Sequence, residues 1–479
     1  MISLFCKILF FACVVKSVFA ETNLVENINF SNTQETKKED FSLKLGGYID
    51  FQSGHTEQSS YYNKSNFLKR QDNTVADNPF YDQEFIFRTD SRVYLTATRD
   101  VNEIFSYGGV VVFNSLINKN EDEAGKISEQ NYLFTKLNHG KIELGSMYGS
   151  AAKMRVDSLN LARATGGVSG SWWRFTSLGH TGTAGMSPVF ILQPMLPNEH
   201  GFTTSMGLGN VALDSSKNIT SINSSQPLLG WGSRSNRISY YTPKINGYQM
   251  GITHSPNTGN TGTLGGSGAS PHLDNLYGIQ QYASAASGEG NITHYTSVGI
   301  SKEKDFSENL SLKLSLTSEF GKWNRISTFN GQVINNPNFF TREDLKAYSG
   351  GTLLSYKNYG LSFAYSDWGD SLLATYANGN SMFNKKKSYY FNSGISAVYE
   401  KFALSLTHLK SSFGGNELGA LSLSFDIKPD FLKSKGIIFY IEGTMYEFKS
   451  SYVYSPQFGT KMSELNNGFV ILTGIKMVF

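Results

Sequence analysis

Cysteine is the first thing this chain lacks: its only two, Cys6 and Cys13, lie within the first twenty residues. Met1–Ala20 places Lys7 ahead of an apolar run, Ile8–Val15, and ends Val18-Phe19-Ala20, the pattern of a secretory signal peptide. A lipoprotein anchor at Cys13 is the rival reading, but Phe10-Phe11-Ala12 fits that motif poorly and leaves too short an apolar core. Removal of residues 1–20 leaves no cysteine, which excludes a disulfide framework for an exported chain of this length. Long apolar runs are missing too. Outside the signal, no stretch reaches the roughly 18 residues that a membrane-spanning helix needs. Charge of one sign is also absent: 42 Lys and Arg, two of them in the signal, face 39 Asp and Glu, so nucleic-acid binding gains no support. Nucleotide, hydrolase and zinc-protease motifs (G-x-G-x-x-G, G-x-x-x-x-G-K-[ST], G-x-S-x-G, H-E-x-x-H) do not occur, and the eight histidines are scattered. These absences point away from an enzyme, a cofactor or a metal site. Only a Ser–His pair assembled by folding, as in a phospholipase-type barrel, stays open as a catalytic reading.

What the chain has is alternation with a period of two. Leu43, Leu45, Gly47, Ile49 and Phe51 interleave with Lys44, Gly46, Tyr48, Asp50 and Gln52. Phe87, Thr89, Ser91, Val93, Leu95 and Ala97 interleave with Arg88, Asp90, Arg92, Tyr94 and Thr96. Leu310, Leu312, Leu314 and Leu316 alternate with Ser311, Lys313, Ser315 and Thr317; Leu421, Leu423, Phe425 and Ile427 alternate with Ser422, Ser424 and Asp426. In each strand the charges keep to one parity. That is the demand of a bilayer, where a charge on the lipid face near the midplane costs roughly 2–4 kcal/mol. With 34 Phe, 26 Tyr and 47 Gly, the composition suits an aromatic-girdled barrel with a wet interior.

The connections alternate as well. Long links are expected at 54–84, 116–129, 149–233, 255–290, 322–346, 369–386, 411–418 and 448–465. Short turns fall near 99–103, 138–140, 243–246, 302–309, 357–360, 399–401 and 428–435. Long links on one side and short turns on the other make an all-β transmembrane antiparallel barrel of about 16 strands. All eleven prolines are expected in loops or turns, because proline cannot donate to a ladder. Residues 21–40 read as a flexible polar segment and 41–479 as the barrel. Gly468–Phe479 carries Ile471, Thr473, Ile475, Met477 and Phe479 on one face, as a closing strand requires.

Within the 149–233 link, VFILQPML (189–196) could pair with Phe202–Leu213 as an extra hairpin, which would make about eighteen strands and a sugar-selective barrel. Trp172 and Trp173 suit anchoring of the link to the wall, or stacking on a sugar ring.

Ser235–Pro256 (SNRISYYTPKINGYQMGITHSP), Asn131–Gly149 (NYLFTKLNHGKIELGSMYG), the opening LGGYIDF and the closing GIKMVF resemble segments of Gram-negative general diffusion porins, above all the alphaproteobacterial ones. The resemblance implies a homotrimer of sixteen-stranded barrels in the outer membrane, set in lipid and lipopolysaccharide. It implies passive diffusion of ions and small hydrophilic solutes, and Phe479 as part of the signal read by the barrel assembly machinery. It also implies a third loop folded into the lumen as a constriction. Candidate wall residues are then Arg88, Arg92, Arg237, Lys44, Asp90 and Lys313, and candidate loop residues are Arg155, Asp157, Arg163, Trp172, Trp173 and Arg174. The family's third loop is acidic; here residues 149–200 hold Lys153, Arg155, Arg163 and Arg174 against only Asp157 and Glu199, which makes anion preference the open question. A surface adhesin or antigen anchored by the barrel is the alternative function.

Overall fold

The computed structural model describes residues 36–38, 41–58, 85–114, 128–176, 190–191, 202–203, 211–213, 219–222, 235–257, 290–325, 328–329, 332–333, 340–376, 386–429, 436–452 and 462–479. The expected signal peptide and most of the long links lie outside these residues. Sixteen strands form the wall. They are β1 (Phe41–Gln58), β2 (Phe85–Asn102), β3 (Phe105–Asn114), β4 (Ser128–Leu137), β5 (Gly140–Ser146) and β6 (Asn236–Tyr241). Then follow β7 (Tyr248–Asn257), β8 (Gly290–Ser307), β9 (Leu310–Arg325), β10 (Leu345–Tyr356) and β11 (Tyr359–Gly369). The wall ends with β12 (Ser388–Val398), β13 (Phe402–Phe413), β14 (Asn416–Ile427), β15 (Ile437–Tyr452) and β16 (Met462–Val478). Each strand pairs antiparallel with the next, and β16 returns to β1, so the ladder closes. Within the segment expected to be flexible, Thr36–Lys38 folds back as a short strand on Phe41–Leu43.

Closure extends to the last residue. The Phe479 amide donates to the Gly47 carbonyl at 3.0 Å, and the Gly47 amide donates to the Phe479 carbonyl at 2.8 Å. A side chain at Gly47 would meet the Phe479 ring, so the final aromatic is seated where no Cβ intrudes.

The register sets the two faces. Leu316 is 67% exposed, Phe87 66% and Leu133 65%, whereas Asp50, Gln52 and Ser315 on the other parity are buried. Such apolar exposure around a closed barrel suits lipid or a neighbouring subunit, not water. Outward charges, such as Arg99, Lys302, Lys346 and Lys410, lie toward strand ends. Lys302 there bonds the Tyr248 hydroxyl at 2.6 Å and lies over its ring, a snorkelling contact at the membrane edge.

Three expectations are corrected and one alternative is removed. The link at 411–418 is short: β13 runs to Phe413, β14 starts at Asn416, and Gly414 and Gly415 turn with φ of 56° and 98°. Two positive φ values in a two-residue hairpin turn are those glycine adopts without strain. Pro256 lies inside β7, between the paired residues Ser255 and Asn257, where its missing donor falls near the irregular end of β8 at Thr293–Thr296. The eighteen-strand alternative fails: Phe190–Ile191 pairs with Phe202–Thr203 as a separate ladder, while β5 pairs directly with β6. Finally, the interior is not polar throughout. Toward the long-link end of β10–β16 the inward side chains turn apolar, with Leu345, Trp368, Leu409, Phe413, Phe448 and Leu472 buried in one cluster. Of the other prolines, Pro243 and Pro429 fall outside strands as expected, and the remaining eight lie outside the described residues.

Leu316 sits mid-strand on the lipid face. Leu316→Arg is expected to lower the stability of the barrel refolded in vesicles by ~2–4 kcal/mol in urea titration. Ser311→Arg, on the inward parity, is expected to stay within about 0.5 kcal/mol.

Candidate functional site

After β5 the chain does not run straight to β6. Residues 147–176 follow the inward-facing side chains of the wall strand by strand, in a short helix, α1 (Ser150–Met154), and three single 3-10 turns. The Ser150 amide donates to the Thr253 hydroxyl of β7 at 2.8 Å, and its own hydroxyl donates to the Ser297 carbonyl of β8 at 2.8 Å. The Val156 amide donates to the Ser315 hydroxyl of β9 at 2.9 Å. Asn392 of β12 bonds the Ser158 hydroxyl at 2.7 Å, and Ser405 and Thr407 of β13 accept from the Arg163 and Val168 amides at 2.9 and 3.0 Å. The Ala164 amide donates to Asp426 of β14 at 2.8 Å. Glu442 of β15 accepts from the Thr165 and Gly167 amides and from the Thr165 hydroxyl. Ser171 reaches Gln52 of β1 at 2.9 Å, and Thr56 of β1 donates to the Phe175 carbonyl at 2.8 Å.

The wall residues that make this seat are small or short. Serine, threonine and glycine on the inward parity let a second layer of backbone approach, and their hydroxyls satisfy amides that water would otherwise have to reach. At Gly351 of β10 an added Cβ would collide with the Val156 carbonyl. Ala164 (φ 55°), Gly166 and Gly167 take left-handed conformations in a turn from which the Ala164, Thr165 and Gly167 amides converge on Asp426 and Glu442, an anion nest filled by the protein's own carboxylates.

Trp172 is fully buried, donates its indole N–H to the Val168 carbonyl at 2.9 Å and meets Tyr446 at 5.1 Å between centroids. It therefore packs the segment against the wall. Trp173 is half-buried and packs against the same cluster. Asp157 is buried as the cap of the turn Ser158–Asn160, with Arg155 at 3.4 Å. The side chain of Arg174 lies outside the described residues.

On the wall, Arg88 and Arg92 point inward and half-exposed, with Asp90 between them accepting from Tyr48 at 3.1 Å. Arg88 lies 6.0 Å from the Phe175 ring. Lys44 is exposed on the inward parity, and Lys313 sits toward the short-turn end, opposite Glu303. Arg237 departs from expectation: it points inward but is only 3% exposed, packed over the Tyr295 ring at 4.9 Å. The inward turn of the chain lays Gly149 on it, and a side chain at Gly149 would meet the Arg237 guanidinium.

Apart from Asp90, the sequence did not single out the wall acids. Asp50 is buried, accepts from Tyr440 and Gln52, and pairs with Lys476 at 3.7 Å. Glu319 is buried against the Tyr295 hydroxyl, and Glu143 is held by Lys141 at 2.7 Å and Lys153 at 2.5 Å. Their inward parity was readable; their burial was not. Burial holds the Lys153 ammonium below the ordinary lysine value, with Glu143 acting in the opposite direction.

A family model described as Gram-negative porin matches residues 16–401. An uncharacterized protein of Rickettsia prowazekii is 28% identical over 99% of this chain and 100% of its own length. Another from Rickettsia felis is 28% identical over 98% of each. Among solved structures, OmpF of Salmonella typhi in complex with daunomycin covers 93% of this chain and all of its own, at 10% identity and a TM-score of 0.50, a likeness of fold.

Because Gly351 is where the wall and the segment come closest, Gly351→Val is expected to lift Val156 from its seat. Limited proteolysis should then cut within 155–163 while circular dichroism keeps its full β signal.

Proposed function

The chain belongs to the Gram-negative porin family, and we propose that its barrel is an open channel passing small hydrophilic solutes passively, with anions preferred over cations. One observation carries the preference: at the level of residues 149–176 six of the described inward acids are buried and engaged, Asp90 alone among those named staying half-exposed between two arginines, and the bases keep more access to the interior. Asp50, Glu143, Asp157, Glu319, Asp426 and Glu442 are each at most 8% exposed. Their charge goes to segment amides, lysines and tyrosine hydroxyls. Arg88, Arg92, Arg155 and Arg163 are more exposed than any of these, and Lys44 is exposed nearer the short-turn end. In this reading residues 149–176 narrow the lumen, and a permeating ion meets a positive field at close range, where screening over roughly 8 Å is least effective.

Family membership and fold support placement in the outer membrane, with the long links outward and the short turns in the periplasm. They also support assembly as a homotrimer among lipid and lipopolysaccharide. The seating of Phe479 beside Gly47 supports a role for the terminal aromatic in recognition by the assembly machinery. The small-residue ledge under the segment supports a constriction held in one place.

The purified protein in a planar bilayer is expected to give stable, nanosiemens-scale openings; their absence would refute the channel reading. Across a salt gradient the reversal potential should have the sign of an anion-preferring pore. Arg88→Gln with Arg92→Gln should shift it toward cations. Arg237→Gln should shift it less, since that guanidinium is covered; an equal shift would return Arg237 to the selective wall.

A further inference from the structure

Lys136 of β4 and Lys141 of β5 are direct cross-strand partners, and both point inward. Like charges in that relation repel. Neither turns away: both lie over the ring of Phe134, at 5.8 and 4.9 Å. A third ammonium comes from α1, where Lys153 lies 4.6 Å from the Tyr132 ring and 5.8 Å from that of Tyr241. One buried carboxylate, Glu143, is shared by Lys141 and Lys153. Among the described residues, the inward side chains of the flanking strands β3, β6 and β7 include no other acid, and Arg237 on β6 adds a further positive charge. Three ammoniums against one carboxylate leave a surplus of two charges.

The aromatic faces hold the cations in place by cation–π attraction without consuming their N–H donors. Each ammonium has three donors, and an ion pair with Glu143 uses only part of that capacity. A surplus of two, from compact point charges rather than planar guanidiniums, matches a tetrahedral dianion better than a single carboxylate. We propose that Lys136, Lys141 and Lys153 form a binding station for the phosphate group of a small phosphomonoester, with Tyr132 flanking its organic part. The station rests on the channel reading above, as a site on the diffusion path below the narrowed level. It retards phosphorylated solutes selectively and raises their local concentration at the inner mouth.

The test uses the full-length protein in a planar bilayer carrying chloride current, with inorganic phosphate, glucose 6-phosphate or glucose added. Both phosphates should reduce the current saturably and glucose should not, with glucose 6-phosphate acting at the lower concentration. Lys136→Gln with Lys141→Gln should raise the half-blocking concentration at least about tenfold, the loss of one charge-assisted hydrogen bond. Lys136→Gln alone, at an exposed side chain, guards against a folding defect and should move it in the same direction. Steady openings with no saturable block, or block unchanged in both variants, would overturn the station and leave the channel intact. Equal potency of the two phosphates would overturn the phosphomonoester assignment. No openings at all would instead overturn the channel reading.

Discussion

A peptide group inside a bilayer has no water to bond, and leaving its N–H or C=O unpaired costs several kcal/mol. In this protein each wall strand finds partners on both sides, and the ring is completed by β16 against β1, down to the paired amide and carbonyl of Phe479 and Gly47. Everything else is built on that ring. Because the ladder fixes register, every second side chain is committed to lipid and the rest to the interior, and a slip of one residue would invert both sets.

The same accounting applies to the second layer. Residues 147–176 have little regular structure of their own, so their amides need acceptors inside the barrel. The wall provides them as hydroxyls of Ser297, Ser315, Ser405 and Thr407 and as the carboxylates of Asp426 and Glu442. Binding the segment therefore engages Asp426 and Glu442 of the wall, while Asp50 and Glu319 are engaged by the wall's own tyrosines. A hydrogen-bonding requirement thus shapes the charge of the interior: the acids that hold the segment are buried beneath it, while Arg88, Arg92 and Asp90 stay half-exposed.

Much of the wall was legible along the chain. The parities of β1, β2, β9 and β14 were readable because lipid and water demand different side chains at spacing two. Most turn positions were readable because Gly, Pro and Asn punctuate them. The errors have local causes. The Gly414–Gly415 turn joins two strands on the side where links were expected to be long, and a two-residue turn can sit on either side. Inward apolar residues such as Leu418 and Ala420 sit opposite outward Gly419 and Leu421, so alternation fades where the interior is packed instead of wet. That loss of contrast was the available signal of the apolar cluster around Trp172.

The pattern of residues by itself determined an antiparallel barrel of about sixteen strands, with eighteen still open, its lipid face and its aromatic-ended closing strand. Each of these depends on side chains close in sequence or on a repeating period. Tertiary structure alone decided which charges count. Arg237 and Arg88 share the same parity and chemistry, yet one lies under Gly149 and the other faces the interior. Likewise Asp426 and Glu442 meet amides more than 260 residues away in the chain. Burial and pairing between parts so distant leave no periodic trace, because they arise only once the ring has closed and its interior is filled.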